Sequence, residues 1–325
     1  VSTPVAGKKA MVLAARMAVS GAMLWFLVVK IGKSRSPDLP PWNRHTALYL
    51  SGAAVLTLVG LVLSAVRWQA VLTALGQPSR LKRLLSHYLA GQFVANVLPT
   101  TIGGDVLRVS RLSRDSGPGR SPTSFASVVL ERLTGWVVLP VITFVGFAVN
   151  PGLRHLGRAT QVALGLSAGT LVLLVLLMVA VGSRRYGDVD HEKGWRRFLA
   201  AVSLGLDQLR RHPGQALNVI AVGFLYQFCL VLAAVLAARA VGIPDAGPTA
   251  LLAFFPAVAI AQVLPISISG LGVREGLFVL FLHPLGVPGE QAIALGLLLY
   301  LLNLLVSLLG APSFAVGGRR RSAAA

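Results

Sequence analysis

Six runs of almost wholly apolar residues are each long enough to cross a bilayer as a helix: Ala10–Val29, Thr46–Val66, Phe125–Val149, Thr160–Val181, Ala216–Ala238 and Ala292–Val316. No other feature constrains the chain as much. Hydrocarbon offers nothing to hydrogen-bond a bare peptide group, so a spanning segment must satisfy its backbone internally, as a helix does. Composition agrees: 13% of the 325 residues are charged, where soluble domains carry about 25%. The first run is long and no small-residue cleavage site follows it, so it reads as a span and not as a cleaved signal. An all-α polytopic membrane protein is expected.

Two further apolar regions, Ser86–Pro99 and Leu251–His283, are interrupted near their middles, and the interruptions resemble one another. ANVLPTTIGGDVLR at Ala95–Arg108 aligns with AQVLPISISGLGVR at Ala261–Arg274, with identity at seven of fourteen positions: Ala, Val, Leu, Pro, Ile, Gly and Arg. Chance kinks do not explain the shared spacing well. Broken helices at corresponding places in two halves point to the substrate site of a transporter built from repeats.

Loop charge sets the expected topology. With the N-terminus and the Arg319–Arg321 tail both cytoplasmic and the broken segments re-entrant, 20 of the 30 Lys and Arg fall on cytoplasmic segments, 7 outside and 3 within spans (Arg16, Arg132, Arg274). This count places Arg67–Arg83 in a cytoplasmic loop. The division is a first repeat over 1–150 with its broken helix at 86–113, and a second over 159–318 with its broken helix at 249–283. A basic cytoplasmic linker covers 183–212. Three crossings per half make the repeats inverted, which supplies two oppositely facing gates. Counting the broken pairs as full crossings gives eight spans instead of six, with both termini still cytoplasmic but a poorer charge bias.

The residues able to carry chemistry gather at these breaks. Pro99 and Pro265 each remove a backbone donor and free a carbonyl one turn back. Asn96, Thr100, Thr101, Gln262, Ser267 and Ser269 offer polar groups beside them, and Gly103, Gly104, Gly270 and Gly272 permit tight turning. Half-helices starting there point backbone amides inward and favour an anion such as phosphate. Packing of small residues explains part of the same pattern. Asp105 and Arg108 stand three apart on a helix and can pair. Arg274 and Glu275 are adjacent, are expected to face different ways, and so should need partners elsewhere. Glu131 and Arg132 lie inside a span, where an ionisable group costs roughly 2.5–3.5 kcal/mol on insertion scales. Arg108 and Arg274 are the expected phosphate contacts, because guanidinium stays charged and grips phosphate bidentately. A structural ion-pair network is the competing role for Glu131.

Gly194–Arg211 repeats apolar residues at helical spacing with Arg at both ends. It reads either as a helix lying on the membrane face or as an extension of the next span. The lone cysteine, Cys229, excludes disulfides within the chain, and the six histidines show no ligand spacing, so no metal site and no cofactor is expected. The net charge of +19 resides in loops that meet anionic headgroups, and no nucleic-acid partner is expected. No nucleophile elbow, phosphate-binding loop or zinc motif occurs, so the chain is not expected to be an enzyme.

NVLPTTIGGDVLR at Asn96–Arg108, ERLTG at Glu131–Gly135 and LPISISGLGVREG at Leu264–Gly276, in this order, resemble the flippase-like membrane family related to the transmembrane domain of lysylphosphatidylglycerol synthase, the membrane half of the multiple peptide resistance factor. The resemblance implies movement of an anionic or polyprenyl-phosphate lipid between leaflets of the cell membrane. A separately encoded lipid-modifying enzyme is then a possible partner. The chain ends at Ala325 soon after its last apolar run, so lipid aminoacylation is not expected of it. Two other functions stay open: part of a membrane-embedded lipid-phosphate or polyprenyl-linked glycosyl transferase, or a small-solute secondary transporter.

Overall fold

The computed structural model describes residue 25 and residues 42–97, 103–117, 121–182, 194–243, 247–263, 267 and 269–315. The expected span at Ala10–Val29 apart from Trp25, the hinge residues Pro99, Thr100, Thr101 and Pro265, the first part of the basic linker and the Arg319–Arg321 tail lie outside them. Among the described residues there is no strand. Ten α-helices follow in order: α1 Arg44–Ala74, α2 Leu81–Val97, α3 Gly103–Ser116, α4 Ser121–Val149, α5 Arg158–Gly182, α6 Gly194–Arg211, α7 Pro213–Ala240, α8 Gly247–Val263, α9 Val273–Leu282 and α10 Gly289–Leu308. Five of these, α1, α4, α5, α7 and α10, are long and apolar enough to cross a membrane. The protein is all-α and polytopic.

Local chemistry explains several boundaries. Asn43 caps α1, its Oδ1 accepting from the Thr46 amide at 2.9 Å. At the other end Gly76 takes a left-handed φ of +69° and the Gln77 amide donates to Leu72 O at 2.9 Å, a glycine C-terminal motif. Pro213 opens α7, where a missing donor costs nothing. The last apolar run behaves differently from expectation: α10 stops at Leu308, the chain turns through Leu309–Gly310, and residues 311–315 are helical again.

A second correction concerns Arg67. It does not begin a loop: α1 continues two turns past Val66, to Ala74, and Arg67 is buried within it. Trp68, Val71 and Leu72 are fully buried, so the apolar stripe that drives the helix into the core runs straight through the arginine. The basic linker divides as well. Gly194–Arg211 is a helix of its own, ended by His212 and Pro213, and Leu199, Ala200, Ala201 and Val202 bury its apolar face against protein, chiefly α4. Trp195 stays exposed.

Both broken segments fold back on themselves. In the first, His87 Nε2 meets Asp115 Oδ2 at 2.9 Å, so the outer ends of α2 and α3 lie together. Further in, Gly104 sits so close to the Gly91 carbonyl that a Cβ there would collide with backbone. In the second, Phe254 of α8 stacks on Phe281 of α9 with centroids 4.8 Å apart, and Gln262 lies against Gly270. Several helix pairings resemble one another. α1 packs along α7 over the most extensive interface, α4 packs on α8 as α10 packs on α2, and α3 against α4 matches α9 against α10. On α5, Val172, Leu173, Val175, Leu176 and Val179 are exposed, as suits a lipid-facing surface.

Candidate functional site

Three helices deliver charge to one place in the interior. Arg67 of α1, Asp105 and Arg108 of α3, and Glu131 and Arg132 of α4 all line a cavity of about 230 Å³, whose remaining wall comes from α2, α7 and α8. Arg67, Arg108 and Glu131 are 5%, 4% and 2% exposed, so their charges must be met by neighbours and not by water. The Glu131 carboxylate does this for two of them. One oxygen accepts from Arg67 Nη2 and the other from Arg108 Nη1 at 3.2 Å. Gly135, one turn after Glu131, makes room: a Cβ there would come within 3.1 Å of Arg67 Nη1.

Arg108 is held from its faces as well. Its guanidinium carbon lies 4.2 Å from the Trp68 ring centroid and 4.4 Å from that of Tyr88, contacts that stabilise a cation at little desolvation cost to the rings. Trp68 is fixed in turn, donating its indole N–H to Ser127 Oγ at 3.0 Å. Toward the more exposed side, Asp105 receives Arg132 Nε at 2.8 Å and Nη2 at 3.0 Å, and lies 3.4 Å from Arg108 Nη1. The Asp105–Arg108 pair expected from their spacing is therefore present, although Asp105 engages Arg132 more closely.

The balance of charge is not closed. Three guanidiniums, Arg67, Arg108 and Arg132, face two carboxylates, Asp105 and Glu131, leaving a surplus of one positive charge among the described lining residues. Nε and Nη2 of Arg108, the edge that grips carboxylate or phosphate bidentately, have no hydrogen-bond partner among the described residues, and neither do Nε and Nη1 of Arg67. These four nitrogens are buried, so their hydrogen-bonding capacity is met neither by water nor by the described residues.

The second motif arginine is treated differently. Arg274 and Glu275 do not look apart: Arg274 Nε and Nη2 both donate to Glu275 Oε1, at 3.0 and 2.7 Å, while Oε2 accepts the Gly272 amide at 2.6 Å. The reason is positional. Glu275 stands at the third position of α9 and curls back to cap its start, with Gly272 at a φ of +84°, and the long Arg274 side chain reaches that same carboxylate. Arg274 thus has its bidentate edge satisfied, where that of Arg108 is buried without a partner among the described residues. It lines a second cavity of about 220 Å³ with Gln262 and Asn303. The two cavities share a wall of Gln92, Tyr226, Leu230 and Ala259.

Of the residues expected from sequence, Gly104, Asp105, Arg108, Glu131 and Arg132 meet in the first cavity, and Gln262 and Arg274 line the second. Asn96, Gly103, Ser267, Ser269, Gly270, Gly272 and Glu275 line neither. Ser267 is buried, and Ser269, Gly270 and Gly272 carry positive φ through the turn before α9. Arg67, Trp68, Tyr88, Gln92, Tyr226 and Asn303 escaped the sequence reading. Arg67 was legible from the apolar period continuing beyond it, and Tyr226 and Asn303 as polar breaks within apolar runs. Tyr88 and Gln92 carried no such mark.

A family model described as "Lysylphosphatidylglycerol synthase TM region" matches residues 13–310. A UPF0104 membrane protein of Pyrococcus horikoshii is 26% identical over 126 residues, which cover 38% of this chain and 37% of that protein. The match therefore spans little more than a third of the relative's length. No solved structure matches.

Proposed function

The chain belongs to the family of lysylphosphatidylglycerol synthase transmembrane regions, and from that premise we propose that it carries an anionic, phosphate-bearing lipid from one leaflet to the other. Membership ties its function to membrane lipids; the transport step is our reading. The observation that carries it is a cavity with surplus positive charge, lined by Arg108, whose buried Nε–Nη2 edge has no partner among the described residues. A phosphate entering there gains a bidentate, charge-assisted contact and neutralises the surplus. At about 230 Å³ the cavity lies below the roughly 300–1,000 Å³ of sites that enclose a whole small molecule, so it suits a headgroup whose tails stay in the bilayer.

In this reading Arg108 is the phosphate ligand, and Arg67 adds the second set of donors. Asp105 holds Arg132 near the more exposed rim, and Glu131 fixes the spacing of the two buried arginines. The fold-back pairs α2–α3 and α8–α9 act as oppositely facing gates of an inverted repeat. The chain acts as a carrier, not an enzyme, and is not itself driven by ATP. It resides in the cell membrane with both termini cytoplasmic, beside a separate enzyme that modifies the lipid.

The test uses purified protein in vesicles holding a fluorescent phosphatidylglycerol, with a membrane-impermeant reductant reporting leaflet exchange. Arg108→Gln is expected to slow exchange by about tenfold or more, since two charge-assisted contacts are lost. Exchange at the original rate by folded Arg108→Gln protein would remove the proposal.

A further inference from the structure

A third cavity, of about 370 Å³, lies apart from the first two, where the loop after α1 meets the outer ends of α2 and α3. Ser79 and Arg80 of the loop, Arg83 of α2, and Asp115 and Ser116 of α3 are in its lining. Unlike the buried arginines of the first cavity, Arg80 and Arg83 are exposed, so a ligand arriving from water or from the bilayer surface reaches them directly. Asp115 is the one carboxylate in the described lining, and it is already engaged: its Oδ2 lies 2.9 Å from His87 Nε2 and 3.6 Å from Arg83 Nε. Two guanidiniums against one carboxylate leave a surplus of one positive charge among the described lining residues. α2 begins at Leu81, between the two arginines, with no acidic residue in its first turn to offset the positive end of the helix. Gln77, also in the lining, is 4% exposed and its carboxamide has no partner among the described residues, so the loop is not fully satisfied.

The surroundings set the level of this pocket. α1 ends at Ala74, so the loop begins where an apolar span gives way to headgroups. Leu75 joins Ala200, Ala201 and Leu204 of α6 in one apolar cluster, which puts the arginine-rich α6 at the same end of the molecule. A basic collar of this kind concentrates anions at the pocket's mouth.

We infer that this pocket is a second anion site, outside the cavity proposed for transport, and that its ligand is a phosphoryl group held by Arg80 and Arg83. Guanidinium matches phosphate oxygens bidentately, and the hydroxyls of Ser79 and Ser116 offer further donors. The lining comes from the loop and from both legs of the α2–α3 hairpin, so a bound phosphoryl group ties them together from outside. It belongs either to a lipid of the adjoining leaflet or to a soluble phosphate ester, since both present the same oxygens. Nothing in this inference depends on Arg108.

Equilibrium binding to the purified full chain in detergent tests it, with radiolabelled glycerol 3-phosphate as the soluble probe and dioctanoyl phosphatidic acid as the lipid. Both carry the same phosphomonoester. Joint substitution Arg80→Gln and Arg83→Gln is expected to weaken binding by about tenfold or more, because two charge-assisted contacts are lost. Lys82→Gln removes an exposed charge beside the pocket but outside its lining, and is expected to leave binding close to unchanged. Binding of both probes supports a site for soluble esters, and binding of the lipid alone supports a site for the leaflet. The inference is overturned if neither probe binds or if the double variant binds as the unaltered protein does. It is overturned too if Lys82→Gln weakens binding as much as the double variant, since net charge alone would then explain the effect. The same comparison in Arg108→Gln protein removes the first cavity's share of binding. The loss at Arg80 and Arg83 persists there even if the transport reading fails.

Discussion

Arg108 and Arg274 occupy the same place in two copies of one motif, four residues after a shared glycine, yet their guanidiniums do different work. The difference lies in one neighbour. Val109 follows Arg108, whereas Glu275 follows Arg274 and takes up its bidentate edge. Glu131 instead divides itself between two arginines and satisfies neither completely. Removing one member of a buried charge set costs about 3–5 kcal/mol, because the remaining charges are left unmet. Glu131→Gln leaves three guanidiniums facing Asp105 alone, and its melting temperature in detergent is expected to fall markedly. Adding Arg67→Met to Glu131→Gln restores the charge surplus to two against one and should recover much of that loss. A double variant no more stable than the single one would show that Glu131 does not hold these arginines together.

At the scale of elements, the α2–α3 hairpin depends on two glycines. A side chain at Gly104 meets the backbone of Gly91, which cannot move aside without separating the helices, and the same crossing carries the Arg108 stem past Gly91. Gly169 of α5 is the contrast, since a Cβ there meets nothing. Gly104→Ala is expected to destabilise by about 1–3 kcal/mol through overpacking, and Gly169→Ala to stabilise by about 0.5–1 kcal/mol through helix propensity. Opposite shifts in thermal melting are the expected result; equal shifts would mean that the crossing is not close. Pro140 works in the same register. Inside α4 it frees the carbonyl of Trp136, one turn back and on the first cavity's wall, so an interruption of the helix ladder falls where the site needs room.

At the scale of the molecule, the chain beyond α10 returns to α3: Arg111 donates to the carbonyls of Ser313 and Phe314 at 3.0 and 3.1 Å. Each fold-back pair is also braced by a long helix distant in sequence, α10 against α2 and α4 against α8. The orientation across the membrane is open to direct test. With Cys229 replaced by alanine, a cysteine at Ser183 or at Ser322 is expected to resist an impermeant thiol reagent in intact cells, because the basic flanks favour the cytoplasmic side. Labelling of both from outside would reverse the topology, and labelling of one alone would break the assignment of spans.

What the sequence determined unaided is what depends on solvent and period. The length of six apolar runs required helices across a bilayer, and Pro and Gly within two further apolar regions marked where helices end and restart. The repeated motif picked out Arg108 and Arg274, and the cost of charge within a span picked out Glu131 and Arg132. The tertiary structure decided which charges meet. Arg67 lies 64 residues from Glu131, yet the packing of α1 beside α4 makes them a pair. Glu275, one residue from Arg274, closes that arginine only because α9 starts in a left-handed turn that brings the carboxylate back over its own first amides. Burial, period and breaks are properties of a segment in its solvent and can be read along the chain. Which guanidinium is left with an unpartnered edge depends on where the other helices come to rest.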